Sequence, residues 1–184
     1  MKEYSLLGYN IHIIERDVEL EDVKSMLPES IWMFAFDTET NTKIDMSKRD
    51  ASNIDIMHDR PFLIQFGYDQ HVIVCDLRIP EITTPNVLDC LDALRTRAVL
   101  SLAHNIKFDI NMLANIGYDI EWDNACDTMS IARLALESKS EREGGAPMGL
   151  KALATRLLGT TYSEAGKALD LALRGIWEQK LKAL

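Results

Sequence analysis

The chain has 184 residues, 47% hydrophobic and 27% charged, which suits one soluble globular domain, residues 1–184, with a substantial core. No run approaches the ~20 apolar residues of a membrane helix, and the amino-terminal stretch MKEYSLLGYNIHIIERD lacks the clean apolar segment of a secretory signal, so no membrane partner is expected. With 20 basic and 29 acidic side chains the formal charge is −9, which argues against a binder that grips nucleic acid mainly by neutralising phosphates. It leaves room for an enzyme that holds a strand end through metal ions, with basic surface borrowed from elsewhere. Cys75, Cys90 and Cys126 stand in isolated apolar settings and read as reduced core thiols of a cytosolic protein.

In chain order, Tyr9–Ile14 alternates and is rich in β-branched residues, which predicts a strand. Asp17–Leu27 has helical spacing and is closed by Pro28. Ile31–Phe36 is a continuous apolar run, the pattern of a strand buried on both faces. The polar stretch Asn41–Arg60 has no steady period and reads as a loop. Phe62–Gly67 and His71–Leu77 predict two strands joined by the turn Tyr68-Asp69-Gln70. Pro85 opens a helix to about Arg95, Ala98–Ala103 is a short apolar strand, and helices follow at Ile106–Ile116 and Thr128–Glu137. Ser138–Pro147 reads as a charged, flexible connection, and Met148–Leu158 and Ser163–Leu184 as final helices. Strands early and helices late imply a mixed α/β layered domain around a central sheet.

The chemistry gathers at two places. Asp37-Thr38-Glu39 ends the apolar run, and in an extended chain residues two apart point to the same side. Two carboxylates on one spot repel each other unless a cation compensates them. A hard divalent ion such as Mg²⁺ suits carboxylate oxygens; two solvated acids at a strand end are the bland alternative, about equally weighted. The second place is Leu102–Asp109, where Asn105 is a good N-cap for the helix beginning at Ile106. Asp109 lies on that helix's apolar stripe with Ile106, Ile110, Leu113 and Ile116. An acid facing inward there has two explanations, the positive helix N-terminus or a metal shared with Asp37 and Glu39.

Asp127 reads as a plain N-cap supported by Thr128. His12, His58 and His71 read as ordinary strand or loop residues. His104 is placed to influence geometry around Asn105, a satisfied, half-buried histidine being the plainer reading. Lys107 lies where it can meet a phosphate, although an exposed helical lysine is usually just solvated. No phosphate-binding glycine loop, dinucleotide turn, nucleophile elbow or C-x-x-C pair occurs.

The motif FAFDTET at Phe34–Thr40 resembles the first exonuclease motif of the DEDD superfamily, whose fold is ribonuclease H-like. AHNIKFD at Ala103–Asp109 resembles the second, in the form found in family A DNA polymerases of bacterial and phage type. The segments Pro61–Leu77, Asp127–Leu136 and Gly149–Gly159 resemble the hairpin and the helices of that family, in its order. The resemblance implies an α/β, ribonuclease H-like fold with a mixed central sheet flanked by helices. It further implies a 3′→5′ proofreading exonuclease using two metal ions, Mg²⁺ or Mn²⁺. By position Asp37 and Glu39 would be metal ligands, with Asp109 holding the second metal directly or through water. Thr38 and Asn105 would lie against the 3′-terminal nucleotides, with Lys107 and Phe108 completing the substrate-binding set. The implied partners are the 3′ end of single-stranded DNA and a polymerase domain, in cis or as a separate chain. The implied location is the cytoplasm of a bacterial cell or phage-infected host.

One part of the pattern is missing. The third motif of that family, Tyr-x-x-x-Asp or His-x-x-x-x-Asp, does not occur after Asp109, so the expectation is a domain that stops short of it. Three readings follow: a proofreading domain whose remainder lies elsewhere, an exonuclease-like fold kept for binding or polymerase assembly with weak or no catalysis, and an RNA-trimming relative.

Overall fold

The computed structural model describes residues 1–6, 8–40, 59–119, 121–136 and 147–159. The chain divides into two compact units, Met1–Thr128 and Met129–Leu184.

The first unit is a seven-stranded mixed sheet. Its strands are β1 (Lys2–Leu6), β2 (Tyr9–Ile14), β3 (Ile31–Thr40), β4 (Pro61–Tyr68), β5 (His71–Asp76), β6 (Ala98–Ala103) and β7 (Ala125–Asp127), in the spatial order β1-β2-β5-β4-β3-β6-β7. Pairing is antiparallel for β1–β2, β3–β4 and β4–β5, and parallel for β2–β5, β3–β6 and β6–β7. Among its described residues are the helices α1 (Asp17–Met26), α2 (Thr84–Arg97) and α3 (Ile106–Ala114). The expected ribonuclease H-like α/β architecture is what the chain adopts.

One face of the sheet meets the helices. Ile14, Phe34, Phe36, Ile64, Phe66, Ile73 and Cys75 form a single buried cluster with Leu20 and Val23 of α1, Val87, Leu91 and Leu94 of α2, and Leu113 of α3. Burying side chains of this size is worth about 1.5–3 kcal/mol each. Asp17 ties two helices together, its carboxylate accepting hydrogen bonds from the Thr83 N–H (2.7 Å) and hydroxyl (2.8 Å) at the start of α2. Arg97 Nη1 donates to the Leu27 carbonyl at the end of α1 (2.8 Å). Pro85 sits in the first turn of α2, where its missing N–H costs nothing.

The structure departs from the sequence reading in three places. The strand β3 continues to Thr40, so Asp37 and Glu39 lie within it rather than at its end. From Met33 onwards it is also buried on one face only, since Phe34, Phe36 and Thr38 are buried whereas Met33, Ala35, Asp37 and Glu39 are exposed. The reason is that α1, α2 and α3 all pack against the Phe34 face, leaving alternate residues open. Two further strands, β1 and β7, pair at the edges of the sheet.

In the second unit, α4 (Thr128–Ala135, beginning at the unit boundary) and α5 (Leu150–Leu158) are amphipathic. Ala132, Met148 and Leu153 form a small buried cluster with Met129 and Leu136 packed on it. The expected helix over Ser163–Leu184 lies outside the described residues, as do most of the loop Asn41–Arg60 and of the connection Ser138–Pro147.

Candidate active site

The site is built on β3 and the start of α3. Strand alternation puts Thr38, 4% exposed, on the helix-covered face, and Asp37 and Glu39 on the open one, as the period of two requires. Asp37 pairs across the strands with Gln65, whose Nε2 lies 3.4 Å from Asp37 Oδ2. The register shifts between Glu39 and Thr40, a bulge of the kind that re-aims side chains beside active sites.

Asp109 is the inward-facing acid that the helical stripe indicates, and it is 2% exposed. Its partner is Thr38. Both the Thr38 N–H and the Thr38 hydroxyl donate to Asp109 Oδ1, each at 2.8 Å. The residue between Asp37 and Glu39 is therefore fastened to the first turn of α3, and the two sequence motifs meet. Thr38 is committed to this anchor through both its N–H and its hydroxyl. Its hydroxyl is buried in a protein contact.

The electrostatics follow from three acids in one neighbourhood. Crowding by protein pushes Asp37 up to about 7, and the charges of Asp109 and Glu39 push in the same direction. Asp37 keeps water access along the open face, so the like charges are the more durable part of that push. Burial also raises Asp109, against the pull of the two Thr38 hydrogen bonds. A cation relieves both groups. Among the described residues no cluster of three or more His, Cys, Asp or Glu side chains has a metal-holding arrangement. The oxygen donors Asp37 and Glu39, on one face of one strand, do suit a hard divalent ion.

Asn105 occupies the N-cap position of α3 but makes no side-chain capping bond, and its backbone is left-handed (φ 64°, ψ 48°). The expected side-chain cap is thereby corrected: the exposed Asn105 amide makes no capping bond to the helix. Lys107 is exposed and Phe108 half-buried on the same turn. His104 is half-buried and satisfied, its Nδ1 lying 3.0 Å from Thr128 Oγ1. Asp127, read as a plain N-cap, also reaches sideways: its Oδ1 accepts the Asn105 N–H at 2.9 Å. An acid at the junction of a three-residue strand and a helix was the only trace of this role in the sequence.

A family model of 3′-5′ exonucleases matches residues 11–174, and the chain belongs to that family, as a 3′-5′ exonuclease domain of DEDD type. No curated protein sequence matches the chain. Its fold is similar to the catalytic core of Rrp6 from Trypanosoma brucei, at a TM-score of 0.58 and 15% identity over 88% of this chain and 39% of that one. It is also similar to Escherichia coli RNase D, an exoribonuclease involved in structured RNA processing, at 0.52 and 18% over 80% and 33%. A third likeness is to Trypanosoma brucei RNase D in complex with RNA U12, at 0.50 and 16% over 70% and 40%. The chain thus spans 33–40% of the length of these three proteins, and at such identities the likeness is one of fold. Exonucleases of this type typically use divalent metals. Among the described residues no helix is long and apolar enough to cross a membrane.

Proposed function

We propose that this domain removes nucleotides one at a time from the 3′ end of single-stranded DNA, as the proofreading exonuclease of a polymerase carried in cis or on a separate chain. The observation that carries the reading is the junction of the two motifs: Asp37 and Glu39 side by side on β3, with Thr38 between them bonded twice to Asp109. The form of the second motif, AHNIKFD, supports DNA over RNA.

Asp37 and Glu39 would hold a divalent cation, Mg²⁺ or Mn²⁺, and Asp109 would join them through Oδ2, directly or by way of water. The bound cations supply positive charge against the scissile phosphate and make an attacking water more acidic. The chain's own part is geometric. Thr38 fixes the height of the two carboxylates relative to α3, which keeps the acids preorganised. Asn105 and Lys107, both exposed, and Phe108 bind the terminal nucleotides from the first turn of α3. The net charge of −9 fits a domain that relies on a partner for basic surface along the strand, working in the cytoplasm of a bacterial cell or an infected host.

The test is a 5′-labelled single strand, as DNA and as RNA, incubated with Mg²⁺, Mn²⁺ or EDTA. The expected result is metal-dependent shortening of the DNA from its 3′ end, abolished by Asp37→Ala. Preferred shortening of RNA would replace this reading with the RNA-trimming one. A folded protein that binds the strand without cutting it would mark a binding module.

A further inference from the structure

Only two residues, His104 and Asn105, join the end of β6 at Ala103 to the start of α3 at Ile106. The turn is made at Asn105, which adopts a left-handed backbone. For a non-glycine residue this conformation is unfavourable, least so for asparagine, and it persists where the surroundings over-determine it. Among the described residues the only other such case outside glycine is Asp69, in the β4–β5 hairpin.

Hydrogen bonds among the described residues flank this turn on both sides. Asp127 stands opposite Ala103 in the parallel pairing of β6 and β7, and its Oδ1 accepts the Asn105 N–H (2.9 Å). The neighbouring Thr128 hydroxyl donates to the Ala103 carbonyl (3.2 Å) and lies 3.0 Å from His104 Nδ1. The Asn105 carbonyl accepts the Phe108 N–H (2.9 Å), which opens α3. The Asp-Thr pair at the end of β7 thus grips the backbone on both sides of the turn.

We infer that Asp127 is a positioning residue for substrate binding: it holds Asn105 left-handed, so that the asparagine side chain faces the strand's 3′ end instead of capping its own helix. This rests on the proposed function. The effect is confined to Asn105, because α3 is anchored independently. Asp109 is bonded twice to Thr38, and Ile106, Met112 and Leu113 are buried. Releasing the Asn105 N–H lets the residue relax to a helical or extended backbone, swinging its amide away while the carboxylates stay in place. The loss therefore falls on substrate affinity and spares the chemical step.

The test compares Asp127→Ala, Asp127→Asn, Asn105→Gly and the double variant Asp127→Ala/Asn105→Gly, each checked for an unchanged melting transition in its α2 and β5 amides. In Asp127→Ala the Asn105 amide should exchange at least about tenfold faster, KM for the single strand should rise about tenfold, and kcat should stay within about twofold. Asp127→Asn keeps an acceptor oxygen and should restore both readouts. Asn105→Gly should raise KM by a similar factor, and the double variant no further, because both substitutions act through one side chain. Unchanged Asn105 exchange, additive KM effects, or a fall in kcat at constant KM would overturn the inference. A wild-type chain that cuts neither DNA nor RNA would overturn the proposed function instead, and the hold of Asp127 on Asn105 would still stand or fall on the exchange measurement.

Discussion

Glu19, at the start of α1, and Asp37, in the middle of β3, are acids of the same unit that receive opposite treatment. Glu19 is 3% exposed, yet it accepts hydrogen bonds from the Glu15 N–H (2.8 Å) and the Arg16 N–H (3.3 Å) and meets the Met1 amino group and the Arg16 guanidinium. Burial works against its charge, but these donors win and hold its carboxyl at about 2. Asp37 is more open to water, has one long contact to Gln65, and is pushed up to about 7 by crowding and by two neighbouring acids. The donors around Glu19 satisfy its charge, whereas the two acids beside Asp37 add to the charge there. An arrangement of the second kind lowers the stability of the free protein and is kept where a ligand supplies the missing positive charge.

The largest expected effect follows from that contrast. Asp37→Ala should lower kcat by about 10³-fold or more with the melting temperature unchanged or raised, measured on single strands in Mg²⁺. Glu19→Ala should do the reverse. It leaves the Glu15 and Arg16 N–H groups without their acceptor and removes the reciprocal bond at the helix start. A loss of about 2 kcal/mol in urea unfolding is expected, with kcat per folded molecule unaltered. If Glu19→Ala were to abolish cleavage at full stability, the two acids would not divide as described.

Thr38→Val gives a smaller and mixed effect. The isosteric change removes the hydroxyl donor to Asp109 while the backbone N–H bonds remain, so a buried carboxylate loses one of its donors. The expected cost is about 1 kcal/mol of stability, with a several-fold fall in kcat as Asp109 loosens. A kcat unaffected by this change would separate the Thr38 anchor from catalysis.

How far these roles can be read from sequence depends on how local their cause is. The inward position of Asp109 was legible because helical periodicity is local. Its partner, 71 residues earlier in the chain, was not, because nothing in a spacing rule links the two. Asp37 and Glu39 looked terminal because the apolar run stops at Phe36, although the backbone pairing with β4 carries on to Thr40. β1 escaped notice because Lys2, Glu3, Tyr4 and Ser5 are all exposed, so its pairing to β2 rests on main-chain bonds that leave no apolar pattern. β7 has three residues, too few for any period. Asp127 was taken for a cap because an acid before a helix is ordinarily one, and only the parallel register with β6 reveals its sideways bond.

The smallest effect is the pH and metal dependence of stability. Asp37 titrates at about 7 in the folded chain against 3.8 ordinarily. Between those values the folded state binds the extra proton, so stability declines as pH rises from about 4 to 7 and the penalty is fully present above 7. Glu19 has the opposite sign: with its folded value at about 2 against 4.5, its contribution is present above 4.5 and fades as pH falls towards 2. The two windows overlap little, so an EDTA-treated protein should be most stable near pH 4 to 5. At pH 8, Asp37→Asn should raise the melting temperature by about 1–3 °C, a modest shift because water reaching Asp37 screens its neighbours. Added Mg²⁺ should stabilise the wild type at pH 8 more than at pH 5, since only the ionised pair binds it well and ligand binding adds to stability by mass action. The increment should vanish in Asp37→Asn. An equal Mg²⁺ shift in both proteins would place the ion away from Asp37, and the contrast with Glu19 would then be one of solvation alone.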